Sequence, residues 1–199
     1  NIKKKNNFKG FKSIQSKSVV KISALSKKLS YESRICNHSD FDQIRKIVKR
    51  KKINLAIIFG ARILKKKIID LFKYGVINYH PGSLPETSGL DSFYWMIEKK
   101  IFPKVTCHLI DGRVDAGLKI MEEKINLLKE DELPNVEKKL YLAQLEMHSK
   151  LCNIIQNINN LKKKKIKNYS KNKPMTVKQK KIALKKFKIW KKKNYEKLL

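Results

Sequence analysis

Val76-Ile77-Asn78-Tyr79-His80-Pro81-Gly82-Ser83-Leu84-Pro85, closed by Gly89, is the stretch on which the fold turns. Val76-Ile77 reads as a buried strand that runs straight into Asn-x-His. Alternation along a strand sends Asn78 and His80 to one side and Tyr79 to the other. Pro81 and Pro85 take backbone freedom out of the loop that follows. In an open α/β sheet, ligands gather outside the carboxyl ends of the strands, so an amide and an imidazole stand at that rim. Two readings of the histidine follow. It hydrogen-bonds its own proline-rich turn, or it serves chemistry.

Working outward, Leu55-Ala56-Ile57-Ile58-Phe59 is a continuous apolar run ended by Gly60, as expected of a strand buried on both faces. Ile68, Ile69, Leu71 and Phe72 mark a short helix closed by Gly75. Asp40 caps a helix reaching Lys51, with Phe41, Ile44, Ile47 and Val48 on one face. Helical spacing over 18–29 and a short strand over 33–36 precede it. Downstream come a helix over 90–99, a strand over 105–110, a turn at Asp111-Gly112-Arg113, a strand over 117–125 and one long helix over 131–159. Strands alternating with helices predict an α/β, Rossmann-like domain with a mostly parallel sheet.

The division expected is a domain over 1–160, a lysine-rich linker over 161–175 and a basic helix over 176–199. The helix carries Ile182, Leu184, Phe187 and Trp190. It packs back on the domain, binds a partner or lies on an anionic surface, and packing back is the reading preferred.

Composition narrows the class. A hydrophobic share of 41% supports a real core rather than wholesale disorder. The net charge of +31 invites a nucleic-acid partner, since clustered cations gain affinity by releasing counterions from phosphates. Yet only five of the 48 basic residues are arginine, the better fork for phosphates and base edges. Lysine, isoleucine and asparagine rise together along the whole chain, so compositional drift is the preferred explanation. Cys36, Cys107 and Cys152 are odd in number and widely spaced, which argues against a disulfide scaffold or zinc site and suits a reducing cytoplasm. No apolar run has the length of a membrane span.

The second decisive stretch is Val105-Thr106-Cys107-His108-Leu109-Ile110-Asp111-Gly112-Arg113-Val114-Asp115-Ala116-Gly117. It is a strand ending in a turn rich in carboxylates and glycine, positioned to set a carboxylate against His80. Together the two stretches resemble the folate-dependent formyltransferases: glycinamide ribonucleotide, methionyl-tRNA and sugar-nucleotide enzymes. That family carries Asn-x-His-(Pro/Gly)-x-x-Leu-Pro-x-x-x-Gly, matched from Asn78 to Gly89. It continues with a Gly-Val-Thr-x-His strand, matched by Val105, Thr106 and His108, and an Asp-bearing turn, matched by Val114-Asp115-Ala116-Gly117. Phe59-Gly60-Ala61-Arg62-Ile63-Leu64 resembles the family's folate-side strand end. Gly82 stands where the family usually has serine, and Ser83 where it usually has leucine. The strand-helix-strand unit that normally opens the family is largely missing, so the chain reads as a fragment or as a member that grips its acceptor differently.

The resemblance implies transfer of a formyl group from 10-formyltetrahydrofolate to an amine, through a tetrahedral intermediate. Asn78, His80 and Asp115 are then the catalytic set. Asn78 donates to the developing oxyanion without titrating. His80 accepts or supplies a proton near neutrality. Asp115 orients His80 and relays the proton through water. Arg62, Leu64, Ile69, Ile110, Asp111 and Asp115 correspond to the folate side. His108 either supports the Asp115 loop or is a satisfied histidine in a sheet, and Phe93 and Trp95 either stack on the acceptor or pack in the core. His38 and His148 read as surface or helix residues.

The acceptor is the open point. His80-Pro81 resembles the purine and sugar branches, Gly89-Leu90 the purine branch and Trp95 the sugar branch. The residues after Asp115 read as helix, linker and basic helix rather than the C-terminal barrel expected of a tRNA-formylating enzyme. A small, sugar-linked amine is therefore the acceptor expected. Two rivals stand beside it: a methionyl-tRNA formyltransferase-like enzyme, and a catalytically inactive basic binding protein on the same scaffold. An RNA-binding module rests on charge alone.

Overall fold

A computed structural model describes residues 22–60, 63–168 and 170–194 of the chain. The described residues up to Asn37 fall in one compact unit and those from His38 in another. In the first, α1 (Ile22–Lys28) occupies the described part of the helix expected over 18–29. The strand expected over 33–36 is absent: residues 31–37 carry no regular structure and Ile35 is fully exposed. Ser33-Arg34-Ile35-Cys36 has a single large apolar side chain, too little to pin a strand.

The second unit opens with α2 (Phe41–Lys51), whose N-cap Asp40 accepts from Gln43 N at 3.0 Å, as expected of an acidic cap. Then follow β1 (Ala56–Ile58), α3 (Lys66–Ile69), β2 (Val76–His80), α4 (Ser92–Glu98), β3 (Lys104–Leu109), β4 (Leu118–Lys124) and α5 (Leu133–Ile154). A 3-10 turn (Ile155–Asn160), β5 (Lys164–Lys165) and α6 (Val177–Asn194) complete it.

The strands form one sheet in the order β1-β2-β3-β4-β5. Here the mostly parallel sheet needs correction. β1 and β2 are parallel, but β2–β3, β3–β4 and β4–β5 are antiparallel, so among the described strands the sheet is mixed. The turn from Ile110 to Gly117 is too short to return the chain to a parallel start, and such a link joins only antiparallel neighbours. β1 is also half-buried rather than fully covered.

Side-chain alternation divides the sheet into two faces. Ile77, Tyr79, Val105, Cys107 and Leu109 join Leu140, Ala143, Met147 and Leu151 of α5 in the apolar core. Asn78, His80, Thr106 and His108 take the other parity, with Asn78 registered on His108 and His80 on Thr106. A bulge between Cys107 and His108 gives β4 one extra residue beside His108.

The tail packs on the domain. Thr176 and Gln179 form a reciprocal cap: Gln179 N donates to Thr176 Oγ1 at 3.3 Å, and Thr176 N to Gln179 Oε1 at 2.8 Å. Ala183 and Phe187 of α6 are buried, and the Phe187 ring sits edge-on to Phe93 at 5.4 Å. Trp190 meets Phe102 at 5.8 Å. Lys186 pairs with Glu98 at 2.6 Å and Lys180 with Asp91 at 2.6 Å. Lys191 is buried and donates to the carbonyls of Lys129 and Asp131. Ile182 and Ile189 stay exposed, so the packed stripe is narrower than the apolar content suggests.

Candidate active site

Each member of the site is delivered by a strand end or the loop beyond it. β2 carries Asn78 and His80 to the rim, and Pro81 starts the loop that reaches Gly89. That loop folds on itself through short bonds. Thr87 Oγ1 donates to Ser83 O at 2.9 Å, Ser92 Oγ to Pro81 O at 2.7 Å, and Thr106 Oγ1 to Gly82 O at 2.6 Å. Gly82 is required by close approach: a Cβ there would lie 2.3 Å from Thr87 Oγ1 and 2.8 Å from His80 Nε2. Serine, usual in the family at this place, would collide with the histidine in this arrangement.

His80 is buried, with both ring nitrogens engaged. Nε2 lies 2.9 Å from Thr87 O, which can only accept, so the proton sits on Nε2. Nδ1 faces Asp115 Oδ2 at 3.5 Å. Burial pushes the His80 pKa below the ordinary imidazole value, while the Asp115 carboxylate and the Thr87 carbonyl oppose it. Burial thus favours the neutral ring, whose unprotonated Nδ1 faces the Asp115 carboxyl. The sequence readings of His80 combine here, because it bonds its own loop and also meets the carboxylate expected across the strand ends.

Asp115 adopts a left-handed backbone, φ 53°, which aims its side chain back at β2. Its Oδ2 also accepts from Gly89 N at 2.6 Å, tying the two motif loops together. Among the described residues its Oδ1 has no protein partner, and the carboxyl is part-exposed. Gly117, at φ 110°, lets the chain turn into β4: a Cβ there would sit 2.1 Å from Leu109 O.

Asn78 is half-buried, and its Nδ2 lies 3.2 Å from His108 Nε2. His108 is fully buried, with Nδ1 at 3.1 Å from the Ala116 carbonyl. The carbonyl accepts from Nδ1–H, so Nε2 is left to accept from the amide. Burial first, and then the neighbouring His80, depresses the His108 pKa to about 4. A neutral imidazole therefore holds Asn78 by one N–H and leaves the other free to donate. His108 thus supports both the amide and the Asp115 turn.

The residues expected on the folate side are spread more widely. Arg62 lies outside the described residues. Leu64 and Ile110 are half-buried, whereas Ile69 is buried on α3. Asp111 accepts from the Arg113 backbone N–H at 3.0 Å and from its guanidinium, which holds its carboxyl below the usual range. Phe93 is buried against Phe187, and the Trp95 indole N–H donates to Lys173 O at 3.0 Å. Both fill the packing role weighed above. His148 is half-buried on α5 and bonds Tyr79 Oη at 3.0 Å. Sequence reading missed the Thr87 carbonyl and the Gly89 N–H, because main-chain groups leave no signature in side-chain identity.

Among the described residues, no His, Cys, Asp and Glu cluster that could hold a metal was found, and no helix is long and apolar enough to cross a membrane.

The chain is similar to several known proteins. The chain is 29% identical over 122 residues to a methionyl-tRNA formyltransferase of Thermodesulfovibrio yellowstonii, covering 59% of this chain and 37% of the relative. It is 28% identical over 98 residues to a phosphoribosylglycinamide formyltransferase of Haemophilus influenzae, covering 48% of this chain and 46% of that one. The chain thus spans less than half the length of either curated relative. Among solved structures, formyltransferase PseJ of Anoxybacillus kamchatkensis, in complex with UDP-4,6-dideoxy-4-formamido-L-AltNAc and tetrahydrofolate, superposes with a TM-score of 0.58 at 20% identity. The match covers 82% of this chain and 85% of that one. The formyl transferase family model matches residues 2–151, a span that contains Asn78, His80 and Asp115 and the loops that join them, and the chain belongs to that family.

Proposed function

We propose that the chain transfers a formyl group from 10-formyltetrahydrofolate to a primary amine on a small, sugar-linked acceptor. The observation that carries this reading is the placement of Asn78, His80 and Asp115 at the rim, each held by a protein partner. Bound folate supplies the formyl carbon as the electrophile. The free N–H of Asn78 stabilises negative charge developing on the formyl oxygen, and such a donor is worth about a hundred- to a thousandfold in rate. As the amine bonds to the formyl carbon, Asp115 Oδ1 receives its proton, directly or through water, and that proton passes to the folate nitrogen as its bond to the formyl carbon breaks and tetrahydrofolate leaves. His80, its Nδ1 against the same carboxylate, shares that proton and steadies the pair.

Leu64 and Ile110, half-buried and apolar, would offer the pterin a slot, and Asp111 and Asp115 polar edges. Ile69 would back that wall from the core. This donor set is suited to a flat ring with a hydrogen-bonding edge.

A methionyl-tRNA acceptor is the second reading. It is favoured by curated relatives bearing that name, one of them 31% identical over 130 residues, and by the +31 charge. The experiment is an acceptor panel with 10-formyltetrahydrofolate: amino sugar nucleotides, glycinamide ribonucleotide and methionyl-tRNA. The expected result is formylation of the amino sugar nucleotide. Selective formylation of methionyl-tRNA would replace the sugar-linked acceptor, and no transfer to any amine would leave the inactive binding scaffold.

A further inference from the structure

The segment read in the sequence as a linker runs past both loops of the site. β5 pairs with Leu118 and Lys119 immediately beyond the Asp115 turn, and Ile166 N donates to Gly117 O at 2.9 Å. A few residues later the same segment reaches the loop after β2. There Asn172, only 9% exposed, donates from its amide nitrogen to Glu86 O and Ser88 O, each at 3.0 Å. Its backbone N–H also donates to Ser88 O, at 3.0 Å. Its amide oxygen accepts from Lys99 Nζ at 2.8 Å, and Lys99 donates in turn to Glu86 O at 2.5 Å.

These anchors bracket the groups that hold the catalytic pair. Between Glu86 and Ser88 lies Thr87, whose carbonyl fixes the His80 proton. Next to Ser88 lies Gly89, whose N–H holds Asp115. A primary amide suits the place chemically. It donates twice, to two carbonyls, and accepts once, from a lysine. Aspartate would set a carboxylate against both carbonyls, and alanine would take one of two donors from each carbonyl and one acceptor from the lysine.

We propose that Asn172 is a positioning residue of this active site, acting through loop 86–89 to set the Thr87 carbonyl and the Gly89 N–H, and through them His80 and Asp115. Its kinetic consequence rests on the formyl-transfer reading; its geometric consequence does not. The competing role is plain attachment of the tail, which Lys186 and Glu98 also serve without touching the loop.

The test uses the full chain as wild type, Asn172→Ala, Asn172→Asp and Lys186→Ala. Two readings are taken: steady-state formyl transfer, and NMR titration of the His80 ring, which needs no turnover. Asp115 and His108 are the titrating groups that face His80. Positioning predicts that Asn172→Ala lowers kcat by about ten- to a hundredfold while KM for the folate stays within about twofold. Asn172→Asp should be at least as slow, and Lys186→Ala should match wild type. The His80 midpoint should move toward 6.5 in the Asn172 variants as the loop loosens and water reaches the ring. Wild-type kcat in Asn172→Ala, or an equal loss in Lys186→Ala, overturns the proposal. If the wild type formylates no acceptor, the formyl-transfer reading falls and the titration decides alone: an unmoved His80 midpoint overturns the positioning role, and a moved one upholds it. Should Asn172→Ala fail to fold, the near-isosteric Asn172→Asp carries the same comparison.

Discussion

His108 should make the folded chain measurably acid-sensitive. It is fully buried, donates from Nδ1 to Ala116 O and accepts from Asn78 at Nε2. A second proton would set an N–H against the Asn78 N–H and place a charge in the core. The unfolded chain takes up that proton near 6.5 and the folded chain only near 4. Between those values the unfolded state binds more protons, so acid pulls the equilibrium toward it; above 6.5 the effect is gone. A depression of that size corresponds to about 3 kcal/mol lost as pH falls from 6.5 to 4. His108→Gln removes the titrating group while keeping donors and acceptors at the site. Urea unfolding of both proteins from pH 7.5 to 4 isolates the contribution, because carboxylates common to both cancel in the difference. The gap should close by about 3 kcal/mol on acidification. Parallel stability curves would refute a neutral His108 and, with it, the account of how Asn78 is oriented.

Two further outcomes are expected. His80→Ala should lower kcat by about a hundred- to ten-thousandfold, with the far-ultraviolet circular dichroism unchanged, since the ring bonds a loop rather than the core. Phe187→Ala should lower stability by about 3 to 5 kcal/mol in chemical unfolding, because the ring is buried between Phe93 and Trp190.

The parts of the fold legible in the sequence were those governed by local pattern. Asp40 capped its helix, Val76-Ile77 led into Asn78 as a strand, and period-two alternation put Asn78 and His80 on one side. What pattern could not carry was pairing direction. The side-chain patterns of β3 and β4 do not encode whether their neighbours run parallel, and the short turn between them decided it. β1 read as fully buried, yet Phe59 beyond it is 46% exposed and instead stacks on Tyr79 at 4.9 Å. Residues 161–173 look like solvated lysine-rich chain, and most of their side chains are exposed. Their backbone and one asparagine nevertheless frame the site, and neither charge nor hydropathy marks a residue that acts through main-chain carbonyls. Likewise the high lysine content concealed Lys191, a buried donor to two carbonyls whose pKa is lowered chiefly by burial.

Asn78, His80 and Asp115 are proposed to carry out formyl transfer together. Single-turnover transfer of an isotopically labelled formyl group from 10-formyltetrahydrofolate, in wild type and Asp115→Asn, tests it most directly. Asparagine keeps the size of the side chain and its bond from Gly89 N, but cannot take the amine proton. Label is expected on the acceptor nitrogen with wild type, and transfer slower by at least about a hundredfold in the variant, with folate affinity little changed. Transfer at the wild-type rate by Asp115→Asn would contradict it.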